Sequence, residues 1–124
     1  MTYLIDTDIL IDHLRGNPSA GRFLLDVETG RIRASISVIT EYELLSARHI
    51  SASQLREIRG LLSFMPSLAV TPRVARLAAE IRRRYQTDVV DALIAATAQA
   101  RHAVLVTRNL RHFRPIKGLR LHTL

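Results

Sequence analysis

Tyr3-Leu4-Ile5-Asp6-Thr7-Asp8 is the stretch that decides how the rest of the chain is read. Three apolar residues in a row, stopped abruptly by an acid, predict a short strand buried on both faces. Open α/β folds keep their ligands at the carboxyl ends of such strands, which makes Asp6 a candidate site residue. One aspartate in that place serves equally well as the cap of a following helix. The choice rests on whether other parts of the chain bring partners to Asp6.

Outward from this strand, helical and extended patterns alternate. Asp8 to Leu14 predicts a short helix with Ile9, Leu10 and Leu14 inward. Asn17-Pro18 has the cap-then-proline order that opens a second helix, which carries Phe23, Leu24 and Val27 and ends at Gly30. Ile32 to Ile36 is expected as the second strand. Ser37 then caps a helix running to about His49, and Ser51 with Gln54 forms a capping box for the next, through Leu62. Leu68 to Val70 is expected as a third strand, and Thr71-Pro72 opens a helix to about Tyr85. Arg82, Arg83 and Arg84 at its end suit the helix dipole and read as a solvated face. Asp88 is the expected cap of a helix to about Arg101, Val104 to Val106 a fourth strand, and Leu119 to His122 a fifth after a short polar turn. Such alternation predicts a parallel sheet of four to five strands with helices on both faces, in a single domain over residues 1–124.

Composition narrows the function. Hydrophobic residues make up 48% of the 124, enough for a packed core. There is no cysteine, which removes disulfides and thiolate metal sites and suits a cytoplasmic location. The longest uncharged stretch, Gly60 to Pro72, contains two prolines and is too short for a membrane span. Eighteen basic residues, all arginine except Lys117, face eleven acids for a net charge of +7, and no acid follows Asp91. Arginine binds phosphate oxygens two at a time, so this balance points to a nucleic-acid partner.

Two further acids stand where acids are awkward. At 100° per residue Glu43 shares the helical face of Ile39, Ala47 and Ile50, whereas Glu41 lies opposite with Arg48. Asp91 heads the inward stripe Ile94, Ala95, Ala98. Carboxylates on apolar faces are normally paired or bound to a metal. If Asp6, Glu43 and Asp91 meet, their repulsion calls for a cation, and an oxygen-only set favours Mg²⁺, with Mn²⁺ an alternative. Carboxylates holding a divalent ion on a basic domain predict phosphodiester hydrolysis. The five histidines form no HExxH-type pair, which argues against a zinc hydrolase. A haloacid-dehalogenase-like phosphatase is excluded because Lys117 comes after the last acid.

The chain resembles the PIN-domain family, and within it the VapC toxin ribonucleases of VapBC toxin–antitoxin pairs. LIDTDILIDHLRG is similar to the opening motif, SVITEYELL to the second, DALIAATA to the third and LVTRNLRHFRPIKGLRL to the closing one. The resemblance implies strand order 3-2-1-4-5 and makes Asp6, Glu43 and Asp91 the catalytic, metal-site acids, with Glu43 placed three residues after Thr40. It implies an RNA substrate, a VapB-like antitoxin and a homodimer that becomes a heterotetramer or larger with the antitoxin. Relatives often carry a fourth acid at the position of Asn109 or of His112, and this chain has neither. Thr107, Asn109 and Asp8 are then the supporting candidates, and one firmly held ion is expected. Two other readings stay open: a catalytically weak PIN domain that binds RNA or protein, and a housekeeping RNA-maturation nuclease.

Overall fold

A computed structural model describes residues 1–124. Its elements, in chain order, are β1 (Thr2–Ile5), α1 (Thr7–Leu14), α2 (Pro18–Glu28), β2 (Arg33–Ser37), α3 (Val38–Leu45), α4 (Ala52–Leu62), β3 (Ser67–Leu68), α5 (Pro72–Tyr85), α6 (Val89–Ala100), β4 (Val104–Val106), α7 (Leu110–Phe113) and β5 (Leu121–His122). The five strands form one sheet in the order β3-β2-β1-β4-β5, and every pairing is parallel. This is the expected topology. The central strand is the stretch that begins the chain, and all of its neighbours point the same way.

Pleating divides the core in two, because successive strand side chains point to opposite faces. Ile5 and Val106 pack with Leu10, Phe23, Leu24, Leu44, Ile58 and Leu61 beneath α1 to α4. Leu4 and Leu105 pack on the other face with Val74, Ile81, Ile94, Ala95, Ala98 and Phe113, from α5, α6 and α7. Leu4, Ile5, Leu105 and Val106 are each 0% exposed, which is why the central strands carry no polar residue before their ends.

Local capping explains most element starts. Asn17 accepts from Ala20 N at 3.0 Å, Thr71 from Val74 N at 3.1 Å, and Ser51 and Gln54 close a full capping box. Four expectations need correction. The helix after Ser37 stops at Leu45, not near His49, because Ser46 to His49 is exposed and gives a further turn nothing to bury. Asp88 precedes α6 without making a side-chain cap bond. The third and fifth strands have only two residues each, the third moved one residue earlier to Ser67–Leu68 and the fifth cut to Leu121–His122, since each pairs with one neighbour at the sheet edge. The expected polar turn after β4 contains α7, held because Phe113 is fully buried.

Candidate active site

A parallel sheet collects all strand ends along one edge, so Asp6 after β1, Ser37 at the end of β2 and Thr107 after β4 arrive together. Asp6 is 6% exposed and caps α1. Its Oδ1 accepts from Thr7 N at 2.8 Å as α1 begins, and its Oδ2 accepts the Thr107 hydroxyl at 2.8 Å. Thr107 is fully buried, and its Oγ1 also accepts from Asn109 N at 3.0 Å. Burial, with the nearby charges of Asp8 and Asp91, raises Asp6 from 3.8 to about 7 against the pull of these hydrogen bonds.

Thr7 ties a second acid to the first. Its Oγ1 lies 2.6 Å from Glu43 Oε1 and 3.0 Å from Thr40 Oγ1. A hydroxyl has one proton and a carboxylate only accepts, so Thr7 donates to Glu43 and Thr40 supplies the other contact. Thr7 therefore holds Asp6 through its backbone and Glu43 through its side chain. Glu41 goes elsewhere, accepting the Ser67 hydroxyl at 2.7 Å near the sheet edge. The two glutamates thus leave α3 toward different partners, from a helix a turn shorter than expected.

Asp91 stands in the first turn of α6, above the buried Ile94, Ala95 and Ala98. Its Oδ2 is 3.1 Å from His112 Nδ1 on α7. Burial raises its pKa, and the His112 contact opposes that rise. Asp8, in the first turn of α1, accepts from Arg108 N at 3.0 Å through Oδ2, while its Oδ1 is buried with no hydrogen-bond partner. Burial raises Asp8 too, opposed first by the Arg108 backbone bond and then by the Arg108 charge. Arg108 closes the arrangement by pairing with Asp12 at 3.1 Å, which pins the loop after β4 against α1.

As they stand, no three of the His, Asp and Glu side chains lie close enough together to share one ion. Each acid has instead taken the nearest donor: Asp6 the Thr107 hydroxyl, Glu43 the Thr7 hydroxyl, Asp91 the His112 ring. Repulsion between like charges favours that separation. The donor set nonetheless fits a hard divalent cation. It consists of carboxylate and hydroxyl oxygens, one carboxylate oxygen is buried without a partner, and burial with the neighbouring acids raises the pKa of Asp6.

The family model for the PIN domain matches residues 3–118, which spans β1 to the loop before β5. This chain is a PIN domain. Ribonuclease VapC19 of Mycobacterium tuberculosis is 37% identical to it over 89% of this chain and 90% of that protein. Among solved structures, the DNA-bound VapBC of Salmonella typhimurium is similar at a TM-score of 0.84 and 28% identity, covering 99% of this chain and 98% of that one. VapBC2 of Rickettsia felis bound to a promoter DNA fragment superposes at 0.86 over the whole chain, and at 22% identity that likeness concerns the fold.

Sequence reasoning missed three residues of this PIN domain's site. Thr7 was passed over as a spacer between two aspartates, and His112 was noted only for not being an acid. Arg108 was counted with the bulk charge. Thr7 directly follows Asp6, but the partners of Thr7, Arg108 and His112 could not be read without the fold. The side chain of Asn109, by contrast, makes no hydrogen bond, and its part in the site is through its backbone.

Proposed function

We propose that this PIN domain is a divalent-metal-dependent endoribonuclease, the toxin of a type II toxin–antitoxin pair, silenced by a VapB-like antitoxin. Its identity to a VapC ribonuclease and its likeness to VapBC complexes support the toxin reading. The observation that carries the chemistry is Asp6, a buried carboxylate raised to about 7 at the meeting point of β1, α1 and β4. Such a group has a cost for folding and fits a site that expects positive charge.

In this reading Asp6, Glu43 and Asp91 hold Mg²⁺, with Mn²⁺ an alternative. Bound there, the ion supplies Lewis acidity toward a phosphate oxygen and lowers the pKa of the attacking water. The chain's own residues do the rest. Thr107 and Thr7 fix the Asp6 and Glu43 carboxylates, His112 orients Asp91, and the Arg108–Asp12 pair holds the loop that carries Thr107. The excess of arginine attracts the RNA despite the local acids.

The antitoxin has a suitable place to bind. A groove of about 430 Å³ runs between α1, α3 and α4, lined by Ile11, Leu14, Leu44, Ala47, Ile50 and Ile58, with Glu43 in its wall. An apolar segment filling this groove would bring its neighbouring residues to the Glu43 carboxylate, and a basic side chain there would block the site. Tyr42 and Val89, 68% and 52% exposed, offer apolar surface for the homodimer that the family resemblance implies. A single PIN domain over residues 1–124, acting in the cytoplasm, is the unit of this reading, and no helix is long and apolar enough to cross a membrane.

RNA cleavage by the purified protein tests it, with Mg²⁺ or Mn²⁺, with chelator, and as Asp6→Asn and Asp91→Asn. Cleavage that survives both the chelator and the substitutions overturns the mechanism. Growth arrest on expression, relieved by the neighbouring gene, tests the toxin role. The absence of an acid at Asn109 and His112 favours a second reading, a PIN domain that binds RNA without cutting it. Calorimetry decides between them, because failure to bind either ion at millimolar concentration supports the second.

A further inference from the structure

The turn between α5 and α6 forms a groove of about 780 Å³ lined by Ala79, Arg82, Arg83, Gln86, Thr87 and Asp88. Two features set it apart from an ordinary arginine-rich helix end. The Arg82 guanidinium reaches forward past the end of α5 and donates from Nη1 to the Thr87 carbonyl at 2.9 Å, so its head is fixed at the lip of the groove. Neither Arg82 nor Arg83 is in an ion pair, and the molecule has only three such pairs. A favourable dipole explains a cation near a helix end, but Arg84 also stands in that last turn. It does not explain a guanidinium fixed over the start of the next helix.

The position of the groove gives it meaning. Asp88 in its wall precedes Asp91 by three residues, and Asp91 stands in the first turn of the helix that follows. The groove wall therefore includes the residue that precedes the helix carrying Asp91. We infer that the groove is a nucleotide subsite of this PIN domain, in which Arg82 and Arg83 each hold an RNA phosphate adjoining the one being cleaved. Gln86 and Asp88 line the same groove and present an amide and a carboxylate, groups that pair with a base edge or a ribose 2′-hydroxyl. The inference deepens the ribonuclease reading and rests on it for the identity of the polyanion.

The test uses fluorescence anisotropy of a labelled RNA of roughly a dozen nucleotides, within the span a small domain covers. Binding is measured to the Asp6→Asn protein, so that no cleavage intervenes. Adding Arg82→Gln with Arg83→Gln should weaken binding about tenfold and lower the log–log salt slope by about 1.4, for two lost single-strand phosphate contacts. A control, Arg56→Gln with Arg59→Gln, removes equal charge from α4 and should change neither by a comparable amount. Because Arg82 also ties down the turn, Arg83→Gln alone is a second arm, expected to lower the slope by about 0.7. In the cleaving protein the Arg82/Arg83 double variant should raise KM about tenfold with kcat within about twofold, a loss of binding felt equally in ground and transition states. Equal losses in the two double variants would assign the effect to net charge, and no loss in the groove variants would remove the subsite; either overturns the inference. If the parent protein binds RNA but does not cleave it, the nuclease reading fails while the anisotropy arms still decide the groove.

Discussion

Thr107 donates its hydroxyl to Asp6 at 2.8 Å across 101 residues of sequence, and both groups are buried. The same oxygen receives Asn109 N, so one side chain both fixes the central carboxylate and shapes the loop beyond β4. Thr107→Val removes a donor and an acceptor at nearly constant volume. It should cost about 1–3 kcal/mol of stability, the usual penalty for stranding buried polar groups, while Thr107→Ser should recover most of it. Denaturant unfolding of the three proteins measures this, and equal stability of the Val and Ser variants would argue against the bond.

Asp6 makes the metal-free protein sensitive to pH in a direction opposite to most paired carboxylates. Its folded pKa of about 7 lies above the unfolded value near 3.8, so between these values the folded state holds a proton that the unfolded state has released. Its stabilising share is complete below about pH 4 and lost as pH rises through 7. Asp6→Asn removes that loss. The variant should exceed the parent in stability at pH 8 without divalent ions, by a ceiling of about 4 kcal/mol, and the gap should shrink toward pH 4. Thermal melts across this range check it, and an unchanging gap contradicts it.

Thr7 holds Glu43 by a hydroxyl that valine lacks. Thr7→Val should leave the fold in place and cut RNA cleavage about 10- to 100-fold, since a displaced catalytic group loses its orientation. Thr7→Ser should restore the activity. Single-turnover rates separate this from weaker RNA binding.

His112 sits against Asp91, with its Nδ1 3.1 Å from the Asp91 Oδ2. His112→Asp should tighten Mn²⁺ binding roughly tenfold or more, because added carboxylate charge raises affinity for a hard cation. Titration calorimetry reads this directly. Unchanged affinity would place residue 112 outside the reach of the ion.

Much of this molecule was legible in one dimension. The apolar run Tyr3 to Ile5, the alternating caps at Asn17, Ser51 and Thr71, and the uninterrupted stripe after Asp91 all follow from local periodicity and local hydrogen bonds. The length of α3 was not legible, because Ala47 and Ile50 repeat at helical spacing yet line a groove from an irregular segment. Nor was α7, whose reason for existing is one aromatic ring buried on the far face of the sheet.

By itself the sequence determined the alternation of strands and helices, the polyanion-attracting charge and which acids face inward, since each depends on spacing along the chain. Only the tertiary structure decided what those acids touch. That Thr7 rather than Arg108 meets Glu43, that Thr107 meets Asp6, and that His112 meets Asp91 depend on where distant backbones place short side chains within about 3 Å of one another. The physical reason is reach: periodicity acts over neighbouring residues, whereas a hydrogen bond between residues 6 and 107 exists only after the sheet has set β1 beside β4.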